Sequence, residues 1–277
     1  MLSLNHKVKL RSGYEMPRLG YGVGMNRNTL PTVLEAFKAG YRHIDSAKMY
    51  GNEAECGEAI RTSGLPRSEI FYTTKIFDPD HGYTSTLAAV DRSLSFANLD
   101  YIDLFLIHTP RSSKTQRLET YRALLEKRDA GLIKSVGVSN YGIRHLEEIA
   151  AAGLEMPVVN QIEVHPWCQQ REIRAYCESE GIVVQAYCPL VRNRPELIGD
   201  PVLVRIAEKH KREPVRVLLR WSLQHGLVPL PKTETPKRIW SNAALYDFEL
   251  DADDMAALDG LDRGADGAIS WNPIDVP

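Results

Sequence analysis

Cysteine is scarce in this sequence: four residues in 277 (Cys56, Cys168, Cys177 and Cys188), with no CxxC pair. So few thiols in a chain this long exclude a disulfide framework and point to a reducing compartment, the cytoplasm by default. Long apolar runs are missing too. No stretch approaches the roughly 18 residues that a membrane helix requires, and residues 1–10 hold no uninterrupted apolar core of signal-peptide length. Charge of one sign is also lacking, since 34 Lys and Arg face 36 Asp and Glu for a net charge of -2. No bulk basic field exists to gather nucleic acid or an anionic membrane, although a local basic pocket is compatible with that balance. Neither HExxH nor a Cys/His ligand spacing is present, so no metal site is expected. Gly20-Tyr-Gly22 lacks the third glycine of a GxGxxG turn opening a helix, which argues against a dinucleotide-binding Rossmann unit.

What is there is ordinary globular material, 43% hydrophobic and 25% charged, in a regular alternation. Strands are predicted at residues 19–23, 43–46, 70–76, 102–108, 136–139, 158–164, 182–187 and 227–230. Several are apolar almost throughout, as parallel strands covered on both faces must be. Amphipathic stretches lie between them. Leu34, Phe37 and Ala39 precede the Gly40 stop; others run over 54–61, 86–96, 121–128, 145–152 and 172–180, with a pair at 202–211 and 215–225. Glycine follows several of their last periodic residues, as a helix C-cap should. Eight strand–helix units without linker or low-complexity tract predict one α/β domain over 1–277, a closed (β/α)8 TIM barrel. An open doubly wound sheet is the rival arrangement. Ahead of the barrel, residues 1–18 read as a β-hairpin turning at Arg11-Ser-Gly13, a plug for the barrel bottom. Residues 251–277 form a C-terminal tail.

The chemistry of such a barrel sits at the C-terminal ends of its strands. The second strand ends at Asp45 and leads into a loop carrying Tyr50; the third ends at Lys75 and the fourth at His108. Singly, each has a bland reading as a helix cap, a rim residue or a satisfied core group. Together they bring four ionisable groups from three consecutive strand ends to one mouth. A tyrosine's ordinary pKa of about 10 is high for proton transfer near neutrality. An adjacent Lys75 ammonium favours the phenolate and is expected to lower it. Asp45 then keeps Lys75 charged and oriented, and His108 hydrogen-bonds a carbonyl oxygen and aims it at Tyr50. Such a set suits protonating a carbonyl oxygen while hydride reaches the carbon, with the hydride donor supplied from elsewhere.

These residues also carry a resemblance. Gly40-Tyr-Arg-His-Ile-Asp45-Ser-Ala-Lys-Met-Tyr50-Gly-Asn-Glu53 resembles the first signature of the aldo-keto reductases. Residues 99–108 and Gly131-Leu-Ile-Lys-Ser-Val-Gly-Val-Ser-Asn140 resemble the second and its continuation. Pro231-Lys232-Thr233 with Arg238 and Asn242 resembles the C-terminal cofactor signature, and the matches run in family order from about Gly20 to Leu250. The resemblance implies NADPH-dependent reduction of an aldehyde or ketone, with the cofactor extended across the barrel mouth. It implies that Ser139, Asn140 and Gln161 bond the nicotinamide carboxamide. In Gln185-Ala-Tyr-Cys-Pro-Leu190, it implies that Tyr187 stacks on the nicotinamide ring, with Leu190 among the cofactor contacts. Lys232, Thr233 and Arg238 match the 2′-phosphate pocket and Asn242 an adenine contact; a guanidinium and an ammonium suit a phosphate dianion.

Departures from the family pattern shape the expected substrate pocket. Gly24 stands where a bulky aromatic is common, so that wall should be wider. Ser241 replaces a frequent glutamate beside the adenine, and Cys188 a frequent serine. Trp167 and Trp271 are the aromatic candidates for the pocket rim, with core packing and packing of the tail on the barrel outside as their respective alternatives. The expected partner is a small-molecule carbonyl compound; no nucleic acid, membrane or metal is expected, and the monomer is the default state. Two other functions remain open. One is a nucleotide-binding regulatory protein with little turnover; the other is a Schiff-base lyase using Lys75, disfavoured because Asp45 would keep that lysine protonated.

Overall fold

The runs of β-branched and aromatic residues do become short parallel strands, each followed by an amphipathic helix. The computed structural model describes residues 3–277. An N-terminal hairpin of β1 (Lys7–Lys9) and β2 (Glu15–Pro17) precedes eight strands: β3 (Tyr21–Gly22), β4 (His43–Asp45), β5 (Phe71–Ile76), β6 (Ile102–Ile107), β7 (Ile133–Ser139), β8 (Val159–Glu163), β9 (Val183–Tyr187) and β10 (Val228–Pro229). They pair in parallel in chain order from β3 to β10. The seam closes through backbone bonds from Gly20 N to Pro229 O (3.1 Å) and from Gly22 N to Pro231 O (3.0 Å). This seam accounts for the glycine pair: a Cβ at Gly20 would stand 2.5 Å from the Leu230 side chain, and one at Gly22 3.1 Å from the Leu230 carbonyl oxygen. The glycines permit the first and last strands to meet. The barrel is therefore closed, and the open-sheet alternative falls.

Helices α1 (Thr29–Lys38), α2 (Glu53–Thr62), α3 (Tyr83–Ala97), α4 (Lys114–Asp129), α5 (Ile143–Ala151) and α6 (Arg171–Ser179) connect successive strands up to β9. Between β9 and β10 lie the short α7 (Pro195–Ile198) and the pair α8 (Pro201–His210) and α9 (Pro214–Gln224). Then come α10 (Pro236–Ala243) and α11 (Ala252–Asp259). The fourth helix starts seven residues before the predicted Tyr121, because Ser113 and Gln116 form a capping box at its N-terminus. None of these helices is long and apolar enough to cross a membrane.

Every residue of β5 and β6 is buried, and alternation divides them between two cores. Phe105 and Ile107 face the helices, whereas Leu104 and Leu106 join Phe71, Val158, Val159 and Val228 in a cluster inside the barrel. Leu10 and Met16 of the hairpin complete that inner cluster, so the hairpin seals the end opposite the strand C-termini. Its turn uses Gly13 at φ +87°, a conformation open chiefly to glycine.

Candidate active site

Parallel closure puts every strand's C-terminal end on one face, and the four sequence candidates meet there. Asp45 is the last residue of β4, and Tyr50 ends the single 3-10 turn (Lys48–Tyr50) that follows. Lys75 lies on β5, wholly buried, with Nζ donating to Asp45 Oδ1 at 2.6 Å and to the Ser46 carbonyl at 2.7 Å. The ammonium stands 5.2 Å from the Tyr50 ring centre. His108 follows β6 directly, and its ring meets that of Tyr50 edge-on, centres 5.8 Å apart.

Protonation follows from these surroundings. Burial opposes the charged form of Lys75, but Asp45 and Tyr50 outweigh it and hold its pKa above the ordinary 10.5. Burial also dominates at Tyr50, where it raises the phenol although Lys75 pulls the other way. The expectation of a lowered tyrosine pKa is thus corrected: desolvation exceeds the ammonium's attraction, and Tyr50 rests as a phenol that carries its proton. His108 is pushed down to about 3, first by burial, then by Lys75 and His81. It is a neutral imidazole, and its buried Nδ1 has no hydrogen-bond partner among the described residues.

Behind this group runs a second set of polar residues. Gln161 on β8 gives one Nε2 hydrogen to Asp45 Oδ2 at 2.8 Å and the other to Gln185 Oε1 at 2.7 Å. A carboxylate only accepts, so this bond fixes the amide's orientation, leaving Gln161 Oε1 as an acceptor toward the cavity it lines. Asn140, at φ +62°, ties three strand ends together. Its Nδ2 donates to the His108 carbonyl at 3.0 Å, and its Oδ1 accepts from Tyr187 Oη at 2.8 Å.

A cavity of about 980 Å3 extends from Asp45, Tyr50 and His108 along Ser139, Asn140, Gln161, Tyr187 and Leu190 to Lys232, Thr233, Arg238 and Asn242. At its far end Lys232 pairs with Glu234 at 2.9 Å. The Arg238 guanidinium, exposed on the first turn of α10, has no ion-pair partner among the described residues. A cleft with an aromatic ring and amides at one end and cations at the other fits a nicotinamide dinucleotide in its donor chemistry.

Gly24 and Trp271 also line the cavity, and a Cβ at Gly24 would sit 3.5 Å from the Tyr50 ring. Trp271 lies over the mouth, 5.9 Å from the His108 ring centre and stacked under Arg111 at 4.6 Å. The tail thus crosses the mouth at this residue. Trp167 does not line the cavity. It is fully buried, because the tail passes directly over it: Arg263 N bonds its carbonyl at 2.9 Å, and any Cβ at Gly267 would strike the same oxygen. The rim expectation for Trp167 is corrected to core packing. His43 is buried within β4, bonded to Thr73 and lowered to about 4 by burial, away from the cavity. Unforeseen in the sequence were the rim methionines Met25 and Met49, the contribution of Arg192, and Glu163 at the end of β8. Glu163 ends its strand as Asp45 ends β4, and that parallel was the available signal.

A parallel barrel with an acid, a lysine, a tyrosine and a histidine at one mouth, beside a long cleft, has the layout of an oxidoreductase that takes its nucleotide without a Rossmann domain. Comparison with known proteins agrees. The model of the Aldo/keto reductase family matches residues 19–194 and 195–263, and the chain belongs to that family. It is 43% identical over 277 residues to a glyoxal reductase of Bacillus subtilis, covering 99% of this chain and 98% of the other. It is 40% identical over 270 residues to a 9,11-endoperoxide prostaglandin H2 reductase of Trypanosoma cruzi, covering 96% and 94%. A crystal structure of an aldo/keto reductase from Brucella melitensis superposes with a TM-score of 0.90 at 44% identity, covering 95% of this chain and 100% of that one. Each of these relatives is named a reductase, and membership of the family supports carbonyl reduction in general terms.

Proposed function

We propose that this chain reduces an aldehyde or ketone to the alcohol with NADPH, and that Tyr50 is the general acid. The observation that carries the reading is the buried Asp45–Lys75 pair at 2.6 Å beneath a phenol that lines the cavity. When bound, the cofactor supplies hydride to the carbonyl carbon. The protein's own residues do the rest. Neutral His108 presents Nε2–H to the carbonyl oxygen and sets its direction toward Tyr50. The Tyr50 hydroxyl gives its proton to that oxygen as negative charge develops, and the phenolate left behind is stabilised by Lys75. Asp45, held by Gln161, keeps the ammonium charged and in place. Burial keeps Tyr50 protonated before the reaction, and Lys75 stabilises it afterwards, so one environment serves both states.

Ser139, Asn140 and Gln161 would hold the carboxamide and Tyr187 the nicotinamide ring. Lys232, Thr233 and Arg238 would bind the 2′-phosphate, with Asn242 at the adenine and Leu190 along the cleft. Arg238, a guanidinium with no acidic partner among the described residues, favours NADPH over NADH. Gly24 and Trp271 border the space left for substrate. The two named relatives act on carbonyl and endoperoxide compounds of very different size, so their names support reduction without selecting a substrate. Reduced-cofactor oxidation across a panel of aldehydes, α-keto esters and ketones tests the reading. Tyr50→Phe should bind NADPH with unchanged fluorescence quenching yet lose nearly all turnover; a preserved rate at matched folding removes Tyr50 from the role.

A further inference from the structure

The last residue of β8 is spent on neither the proton path nor the cleft. Glu163 is fully buried, and its carboxylate accepts three donors. Oε1 takes the Ile269 N–H at 2.6 Å and His165 Nε2 at 3.0 Å, and Oε2 takes the Ser270 N–H at 3.1 Å. Two of those donors are consecutive backbone amides of the tail, immediately before Trp271. That stretch has no regular secondary structure of its own, yet the barrel holds it from inside. Other contacts engage the same three residues from above. Arg192 Nη2 reaches Ser270 Oγ at 2.8 Å, Arg194 Nη2 the Ile269 carbonyl at 3.2 Å, and Tyr187 Oη the Trp271 carbonyl at 3.1 Å. The carboxylate differs from these in two respects: it is out of water, and it binds two consecutive backbone amides at once. Charge-assisted bonds to backbone amides are strong, and a buried carboxylate deprived of them is costly. Tail and carboxylate therefore stabilise each other.

We infer that Glu163 is a positioning residue that fixes residues 269–271 over the cavity mouth, making Trp271 a rigid wall that decides how strongly large carbonyl compounds are gripped. The inference deepens the reductase reading and rests on it for its substrate side. The Trp271 indole stands 5.9 Å from the His108 ring centre, so the larger the group on the carbonyl, the more of it should lie against the indole. Specificity for the large compound should therefore depend on Glu163, although Glu163 touches neither substrate nor cofactor. Glu163→Gln is the sharpest change. The amide has the same shape but only one accepting oxygen, so its NH2 must face one of three donors.

Two experiments on the full chain test this. Residue-resolved amide exchange of the unaltered protein should show Ile269 and Ser270 protected by about tenfold or more relative to Trp271, whose N–H has no carboxylate partner among the described residues. Exchange as fast as at Trp271 overturns the latch whatever the activity, and needs no variant to fold. In Glu163→Gln that protection should fall. There, kcat/KM for naphthaldehyde should drop about tenfold while that for glyoxal changes less than about threefold, the scale on which apolar pocket contacts discriminate. The double variant Glu163→Gln/Trp271→Ala should be no worse than Trp271→Ala alone, since both remove one wall. Equal losses for both substrates, or additive effects, overturn the assignment. If the unaltered chain reduces no carbonyl at all, the reductase reading fails, and amide exchange still decides the latch.

Discussion

Replacing Asp45 by Asn tests the electrostatics of the site directly. Lys75 is wholly buried and Asp45 nearly so, and they are 2.6 Å apart. Removing one partner of a buried ion pair typically costs about 3–5 kcal/mol. Part of that is offset here, because the Ser46 carbonyl still accepts from Lys75 at 2.7 Å. The asparagine oxygen can keep the other bond, but its NH2 then faces the Gln161 NH2, and Gln161 must either leave that contact unmade or turn and lose its bond to Gln185. We expect about 3 kcal/mol, near the lower end of that range. At roughly 2–4 °C per kcal/mol for a domain of this general size, Tm should fall by about 6–12 °C near neutrality. The pH dependence distinguishes this cause from simple loss of packing. In the native chain the Lys75 pKa lies above its ordinary 10.5, so its stabilisation is fully present below that value and is lost as pH rises through the folded-state pKa. In Asp45→Asn, burial acts unopposed by the carboxylate and depresses the folded-state pKa. The unfolded chain then binds more protons, and stability increases as pH rises toward the unfolded value. The gap between native and variant should accordingly narrow between about pH 7 and pH 10. Calorimetric melts across that range give the answer; a gap that stays constant, or one under about 1 kcal/mol, refutes the argument.

Three further outcomes follow from other parts of the site. Because His108 is held down to about 3, it does not titrate in the neutral range, and kcat/KM should show no limb near the ordinary histidine value of about 6.5; such a limb assigned to His108 by substitution would contradict its neutral role. Arg238→Ala should raise KM for NADPH by about tenfold or more while leaving that for NADH nearly unchanged, as loss of one charge-assisted phosphate contact predicts; equal shifts would remove the 2′-phosphate assignment. At Gly24 a Cβ has room 3.5 Å from the Tyr50 ring, so Gly24→Trp should fold and cut kcat/KM for bulky ketones by about tenfold or more while sparing small aldehydes. Uniform loss would show that the wall lies elsewhere.

Much of this was legible in the linear chain because it is written in local patterns. Two-sided burial makes parallel strands read as continuous apolar runs, so Ile102–Ile107 and Phe71–Ile76 stood out without any fold in hand. Strand ends in a barrel converge by topology alone, so Asp45, Lys75 and His108 were assigned to one mouth from their positions. The helix over Pro236–Ala243 was not predicted, since its first turn reads as a polar, proline-containing cluster and only its packing against α1 and α9 makes it regular. The end of α4 is legible to within a residue, but its start is not, because a capping box and not hydrophobic periodicity sets it.

The sequence by itself determined which chemical groups are available and in what strand order they arrive, since side-chain identity and the period-two alternation are local properties. Tertiary structure alone decided their states. The Tyr50 proton depends on whether desolvation or the Lys75 charge is larger, and that balance exists only once both are buried together. Trp167 and Trp271 look alike as rim candidates in the chain. The tail buries one and lays the other across the mouth, because Gly267 permits contact with the Trp167 backbone and Glu163 grips the amides at 269 and 270. Those contacts join residues about a hundred positions apart, and no local pattern records them.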